Sequence, residues 1–189
     1  MPKTVRGFCQ LGRYHNIEVE DNITTYMEWA NGATGVFISS TGEAPGTNRL
    51  ELCGTRGKLV VESDKMRFTR NESDMIEFSK TSKSGFAKPD AWNCEIPFEP
   101  ATNPHGILIQ NFVDAILDGK PLIAPGAEGM GSVELANVLL YSSLIGQSVE
   151  LPMDSKAWEN KLNELIANSR HEKKVVQSTA EDFTKSFNK

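Results

Sequence analysis

Apolar and polar residues alternate over the first half of the chain. Over the second half they recur at three- and four-residue spacing, so strands come first and helices after. Thr4 to Leu11, with Val5, Phe8 and Cys9 among polar neighbours, reads as the opening strand, and Gly12 to Asn16 as a loop. Ile23 to Ala30 and Ala33 to Ser40 flank Asn31-Gly32, a strong two-residue hairpin signal, because a type I′ turn needs two residues tolerant of positive φ. That turn sets Met27 opposite Val36, Tyr26 opposite Phe37 and Thr25 opposite Ile38. One face then carries Ile23, Thr25, Met27, Trp29, Thr34, Val36 and Ile38; the other carries Tyr26 and Phe37 beside Glu28 and Gly35. Apolar groups on both faces imply a cover on each.

Further strands are expected at Arg49 to Cys53, Lys58 to Glu62, Met66 to Thr69 and Met75 to Phe78. Residues 79–92 read as a polar loop, and Asn93 to Phe98 as an edge strand, since Pro97 cannot donate to a ladder. These strands argue for one antiparallel or mixed sheet. The period then changes. Asn103-Pro104 caps a helix that ends at Gly119, with Leu108, Phe112, Ala115 and Ile116 on one stripe. A second helix spans about Glu128 to Ile145, with Leu135, Leu139, Leu140 and Leu144 inward and Gly146 as its stop. Val149 to Pro152 is extended, and Asp154 caps a third helix bearing Trp158, Leu162, Leu165 and Ile166. Residues 169–189 are a charged tail, read as a surface helix or as disordered. Residues 1–168 therefore make one α+β domain: a mostly antiparallel open sheet, helices on one face, the other face left for self-association.

Composition narrows the function classes. The chain has 189 residues, 39% hydrophobic and 24% charged, which excludes collagen and wholesale disorder. A formal charge of -5 offers no broad basic face, so nucleic acid is not an expected partner. No apolar run has membrane-spanning length, and no apolar leader opens the chain. Cys9, Cys53 and Cys94 are odd in number and far apart, which fits reduced thiols in the cytoplasm. Cys9 and Cys53 fall in strand patterns, where a buried, unreactive thiol is expected.

Several chemical signals dissolve on inspection. Pro121 to Gly131 imitates a nucleotide-binding strand, loop and helix, with Glu150 placed like a ribose-binding acid. Its order is G-x-x-G-x-G instead of G-x-G-x-x-G, and two prolines flank the short apolar stretch, so no cofactor site is expected in this chain. His15, His105 and His171 share no cluster, so no metal site is expected. No nucleophile elbow occurs, and no residue is assigned as catalytic. Two polar patches carry more information. Ser39 to Arg49 places Glu43, Thr47, Asn48 and Arg49 between two strands, which suits a hydroxyl-rich ligand. An ordinary surface loop with Arg49 paired to an acid fits the same residues. Trp92, Asn103 and His105 could stack on and hydrogen-bond a sugar, or serve packing and capping alone.

Four motifs in order carry a family resemblance: Glu20-Asp21 with Tyr-x-Glu-x-x-Asn-Gly-Ala-Thr-Gly; Arg49-Leu-Glu-Leu-Cys-Gly-Thr-Arg-Gly57; Asn111-Phe-Val-Asp-Ala-Ile-Leu-Asp-Gly-Lys-Pro121; and Val149-Glu-Leu-Pro152. Across roughly residues 4–155 the chain resembles the C-terminal domain of the Gfo/Idh/MocA oxidoreductases, which include glucose–fructose oxidoreductase and inositol dehydrogenase. The resemblance implies an α+β domain that follows a Rossmann domain binding NAD(P), walls the substrate and supplies the oligomer contact. By it, Glu43, Thr47, Asn48, Arg49 and His105 are candidate hydrogen-bonding residues for substrate, and Trp92 a stacking one.

The family's catalytic lysine, in a Glu-Lys-Pro motif, and its proton-transfer histidine precede this domain and have no counterpart here. The expectation is a substrate-binding and oligomerisation domain of an NAD(P)-dependent sugar or cyclitol dehydrogenase, silent without the cofactor half. Its partners are a second copy of itself and a sugar or cyclitol. A non-enzymatic self-association module and a stand-alone sugar binder are the alternatives.

Overall fold

The computed structural model describes residues 1–97, 102–170 and 172. Phe98, His171 and nearly all of the 169–189 tail lie outside them. The elements in order are β1 (Thr4–Leu11), β2 (Glu20–Glu28), β3 (Thr34–Ser40), β4 (Arg49–Gly54), β5 (Gly57–Glu62), β6 (Lys65–Asn71), α1 (Met75–Thr81), β7 (Ala91–Ile96), α2 (Pro104–Asp118), α3 (Gly129–Ile145), β8 (Val149–Glu150) and α4 (Ser155–Asn168). The α+β class with open, antiparallel sheets is as expected. The single sheet is not: the strands form two four-stranded sheets, β3-β2-β1-β8 and β4-β5-β6-β7. The link from Thr41 to Asn48, rich in glycine and proline, carries no strand and ends the first ladder. The chain divides correspondingly into two compact units, one made of Met1–Gly42 with the chain from Gly126 onward, the other of Glu43–Pro125.

In the first unit, α3 lies against β1. Val5, Val138 and Leu139 form the buried core, with Ile23, Met27, Leu135, Val149, Leu151 and Met153 packed around them. The approach is so close that a Cβ on Gly7 would sit 2.1 Å from the Leu139 carbonyl oxygen. Strand β8 pairs only with Thr4 and Val5, so the β1 edge runs on without a strand partner. Serines of α3 take over there. The Gly7 N–H donates to Ser142 Oγ at 3.0 Å and the Cys9 N–H to Ser143 Oγ at 2.8 Å. Burial pushes the half-buried Cys9 thiol up. The expected helix stops hold, with Gly119 and Gly146 both left-handed, and Asn103 and Asp154 cap as expected.

The hairpin register differs from expectation by one residue. Met27 pairs with Gly35, Tyr26 with Val36 and Thr25 with Phe37. The Trp29 N–H donates to the Ala33 carbonyl and the Gly32 N–H to the Trp29 carbonyl, which encloses a three-residue loop, Ala30-Asn31-Gly32. Only Gly32 has positive φ (83°), whereas type I′ needs two such residues. Asn31 uses its side chain instead, accepting from the Ala33 N–H at 3.1 Å. One residue of slip exchanges faces. Val36 and Ile38 therefore join Tyr26, Thr24 and Phe8 on the face away from α3, while Ile23, Thr25 and Met27 face the helix. Phe8, Val36 and Ile38 on that open face are 55%, 64% and 63% exposed.

Asp21 fixes the loop between β1 and β2. Its buried carboxylate accepts the backbone N–H groups of Arg13 (3.0 Å), Tyr14 (2.7 Å) and His15 (3.0 Å). Burial alone would raise its pKa. Those three hydrogen bonds and one from the His15 ring outweigh it and hold the group below the ordinary 3.8.

In the second unit, β4 to β7 run as an antiparallel meander. The strand expected at Met75 to Phe78 is helix α1. Asp74 caps it, accepting from the Ile76 N–H (2.9 Å) and the Glu77 N–H (3.4 Å), and takes a further bond from Thr55 Oγ1 (2.6 Å). Cys53 is exposed, contrary to the buried reading, because the register places it on the polar side of the sheet beside Lys58. Helix α2 stands where predicted, yet none of its residues is buried.

Three outcomes follow from the first unit. Gly7→Ala drives a methyl into the α3 backbone and is expected to lower stability by about 1–3 kcal/mol in urea unfolding. Gly131→Ala, in the first turn of α3 and near only the Met1 sulfur at 3.5 Å, is expected to gain about 0.5–1 kcal/mol. Because Asp21 titrates lower when folded, its stabilisation is complete above the ordinary 3.8 and is lost as pH falls through the depressed folded value. Asp21→Asn should flatten that acid limb when Tm is followed against pH.

Candidate functional site

Strand alternation gives the second sheet two unlike faces. Register places Leu50, Leu52, Leu59, Val61, Met66, Phe68, Cys94 and Ile96 on one side, and Arg49, Glu51, Lys58, Glu62, Arg67, Thr69, Asn93 and Glu95 on the other. Val60 forms the buried floor of the polar side. An open cleft of about 550 Å³ lies there, lined by Arg49, Lys58, Val60, Arg67, Thr69, Asn93 and Glu95 among others.

Arg49 organises the cleft. Its guanidinium donates to Glu51 Oε2 at 2.5 Å and to Glu62 Oε2 at 2.9 Å. Lys58 lies 3.4 Å from Glu51, and Arg67 lies 3.9 Å from Glu62. Two carboxylates thus share three cations. The hydrogen bond from Arg49 holds Glu51 below the usual carboxylate range, and Glu51 and Glu62 in turn raise the guanidinium pKa. Thr69 Oγ1 donates to Asn93 Oδ1 at 2.9 Å, which leaves the Asn93 amide hydrogens free to donate. The cleft therefore presents fixed donors and acceptors above an apolar floor, chemistry suited to hydroxyl groups.

The six candidate residues do not gather in one pocket. Arg49 lines the cleft. Glu43, Thr47 and Asn48 lie exposed on the segment leading into β4. Trp92 sits on the opposite face of the sheet, paired with Arg70, and its Nε1 donates to Glu72 Oε1 at 2.6 Å. His105 is exposed in the first turn of α2. Lys58, Arg67, Thr69 and Asn93 were not singled out from the sequence. Their signal was the alternation itself, legible only once β4 to β7 are known to be one meander.

The segment Gly126–Gly131 does not fit a dinucleotide. No strand precedes it, Gly126–Glu128 is a 3₁₀ turn, and a carboxylate residue, Glu128, stands at the α3 N-terminus where a pyrophosphate would need free N–H groups. Among the described residues no group of three or more His, Cys, Asp or Glu side chains could hold a metal ion. No helix of the described residues is long and apolar enough to cross a membrane.

Comparison with known proteins agrees with this architecture. Residues 2–151 match the family model for the C-terminal alpha/beta domain of the oxidoreductase family. The chain belongs to that family, the Gfo/Idh/MocA C-terminal domain. No curated relative matches the sequence. Among solved structures, the WlbA dehydrogenase of Chromobacterium violaceum, in complex with NADH and UDP-GlcNAcA, is similar at 21% identity with TM-score 0.59, over 81% of this chain and 41% of that one. An oxidoreductase domain protein from Kribbella flavida is similar at 19% identity with TM-score 0.59, over 80% and 44%. A levoglucosan dehydrogenase, in complex with NADH and levoglucosan, is similar at 15% identity with TM-score 0.58, over 81% and 46%. The likeness is one of fold, and this chain spans less than half the length of each neighbour.

Proposed function

We propose that this chain is the substrate-binding and self-associating domain of an NAD(P)-dependent sugar or cyclitol dehydrogenase, acting in the cytoplasm and catalytically silent on its own. The family match over residues 2–151 carries the reading. Support comes from two of the neighbours, one in complex with NADH and UDP-GlcNAcA and one with NADH and levoglucosan. It comes also from the polar cleft at Arg49 and from three free thiols. Nicotinamide chemistry belongs to the cofactor-binding half of such enzymes. This chain's share is to hold hydroxyls, with Arg49 in the cleft as the contact the geometry favours among the six candidates. The open face of the first sheet, with Phe8, Tyr26, Val36 and Ile38, is the self-association surface, because an exposed apolar patch of this kind is stable when a partner covers it.

Calorimetric titration tests the first part. NADH and NADPH are expected not to bind the chain alone, whereas a sugar or cyclitol should bind saturably. Arg49→Ala should weaken that binding by about 5- to 150-fold, the effect of leaving about 1–3 kcal/mol of hydrogen bonding unmade. Saturable NADH binding would overturn the reading. Sedimentation velocity tests the second part: Ile38→Asp should shift an associated species to monomer, and an unchanged sedimentation coefficient would assign the contact elsewhere.

A further inference from the structure

A second chemical device sits in the first unit. The side chain of Asp21 is 1% exposed and that of His15 48% exposed, and His15 Nδ1 lies 3.3 Å from Asp21 Oδ2. Thr41 Oγ1 is also 3.3 Å from Nδ1, and it lies 3.3 Å from the Asp21 carbonyl oxygen. An ionised carboxylate only accepts, whereas a hydroxyl turns to suit its neighbours and can accept from Nδ1–H while donating to the carbonyl. Beside the Asp21 carboxylate the neutral ring carries its hydrogen on Nδ1, which leaves a lone pair on Nε2. Nε2 makes no hydrogen bond among the described residues.

The loop that holds this ring is fixed beyond what folding alone asks. The three backbone N–H bonds already satisfy Asp21 without the imidazole. The Tyr14 ring packs so tightly on Gly42 that a Cβ there would lie 2.3 Å from it, and the Arg13 guanidinium stands 5.3 Å from the Tyr14 ring centre. The acceptor atom thus has a set position and orientation before any ligand arrives, the condition for selective hydrogen bonding at low entropic cost. Too few donors surround it for a metal ion. The adjacent Arg13 opposes a cationic donor such as an ammonium. A neutral donor remains, and among neutral donors the hydroxyl is the one the proposed function supplies.

We propose that His15, turned by Asp21 and Thr41, is a binding site whose Nε2 accepts a hydrogen bond from the hydroxyl of an alcohol or polyol ligand. The choice of a polyol rests on the reading given under Proposed function; the state of the ring rests on the loop geometry alone. Asp21 is a positioning residue here, acting through His15.

Long-range proton–nitrogen correlation on the nitrogen-labelled full chain at mildly alkaline pH reads the ring directly. The Nδ1–H form of His15 is expected in roughly tenfold excess, the bias of one hydrogen bond to an ionised carboxylate. Asp21→Asn should reduce that excess, with circular dichroism confirming the fold; should this variant not fold, the wild-type spectrum decides alone. Glycerol, D-glucose and myo-inositol are then added in turn, and the Nε2 resonance of His15 is expected to move with at least one of them. A wild-type ring protonated at Nε2 overturns the proposal, as does an Nε2 resonance that none of the three displaces. Displacement of Nε2 that persists in Arg49→Ala, with no calorimetric effect of that substitution, supports His15 and counts against Arg49 as a ligand contact.

Discussion

At Gly7 the backbones of β1 and α3 touch with no side chain between them, and most of the first unit depends on that contact. The missing Cβ lets Leu139 and Val138 reach Val5, and it brings Ser142 and Ser143 within hydrogen-bonding distance of strand N–H groups that β8 is too short to satisfy. Ser142, fully buried, bonds onward to the Gln147 carbonyl at 2.6 Å, which ties the end of the helix to the strand it covers. A helix that supplies serine oxygens in place of a neighbouring strand meets the requirement that buried backbone donors be paired. It also fixes which face of the sheet is covered, and so which apolar residues stay uncovered.

The second unit achieves its polarity by a simpler rule. Strict two-residue alternation through four antiparallel strands puts charges on one side and aliphatic groups on the other, and Arg49, between two acids, binds the edge strand to its neighbour electrostatically. Since Glu51 and Glu62 are partly exposed, these ion pairs contribute little stability. Their importance lies in holding donors and acceptors in register over the Val60 floor.

Much of this was legible in the residues. Helix ends announced themselves because Asn103, Asp154, Gly119 and Gly146 do local work that no distant contact overrides. The hairpin was located correctly and mis-registered, because Asn31-Gly32 fits both a two-residue turn and the last two residues of a three-residue loop; the choice depends on whether Asn31 takes positive φ. Met75 to Phe78 is mostly apolar and β-prone like a strand, yet four such residues are too few to outweigh a capping aspartate with a threonine partner. Arg49 was found as a candidate, and pairing with acids turned out to be part of its position in the cleft. His15 went unread as a site, since its orientation comes from Asp21 and from Thr41, far along the chain, and only the folded loop brings the three together.

The serines on the β1 edge have one more effect. A strand edge with free N–H and carbonyl groups is a template on which other chains can add strands. Ser142 and Ser143, with Arg6 donating to the Ser142 carbonyl, occupy that template on β1. The far edge of the same sheet, β3, reads Thr-Gly-Val-Phe-Ile-Ser-Ser, with no proline, lysine or other charge to refuse an incoming strand. Of the two long strands β1 and β3, it is therefore β3 whose edge carries none of the usual guards against an incoming strand.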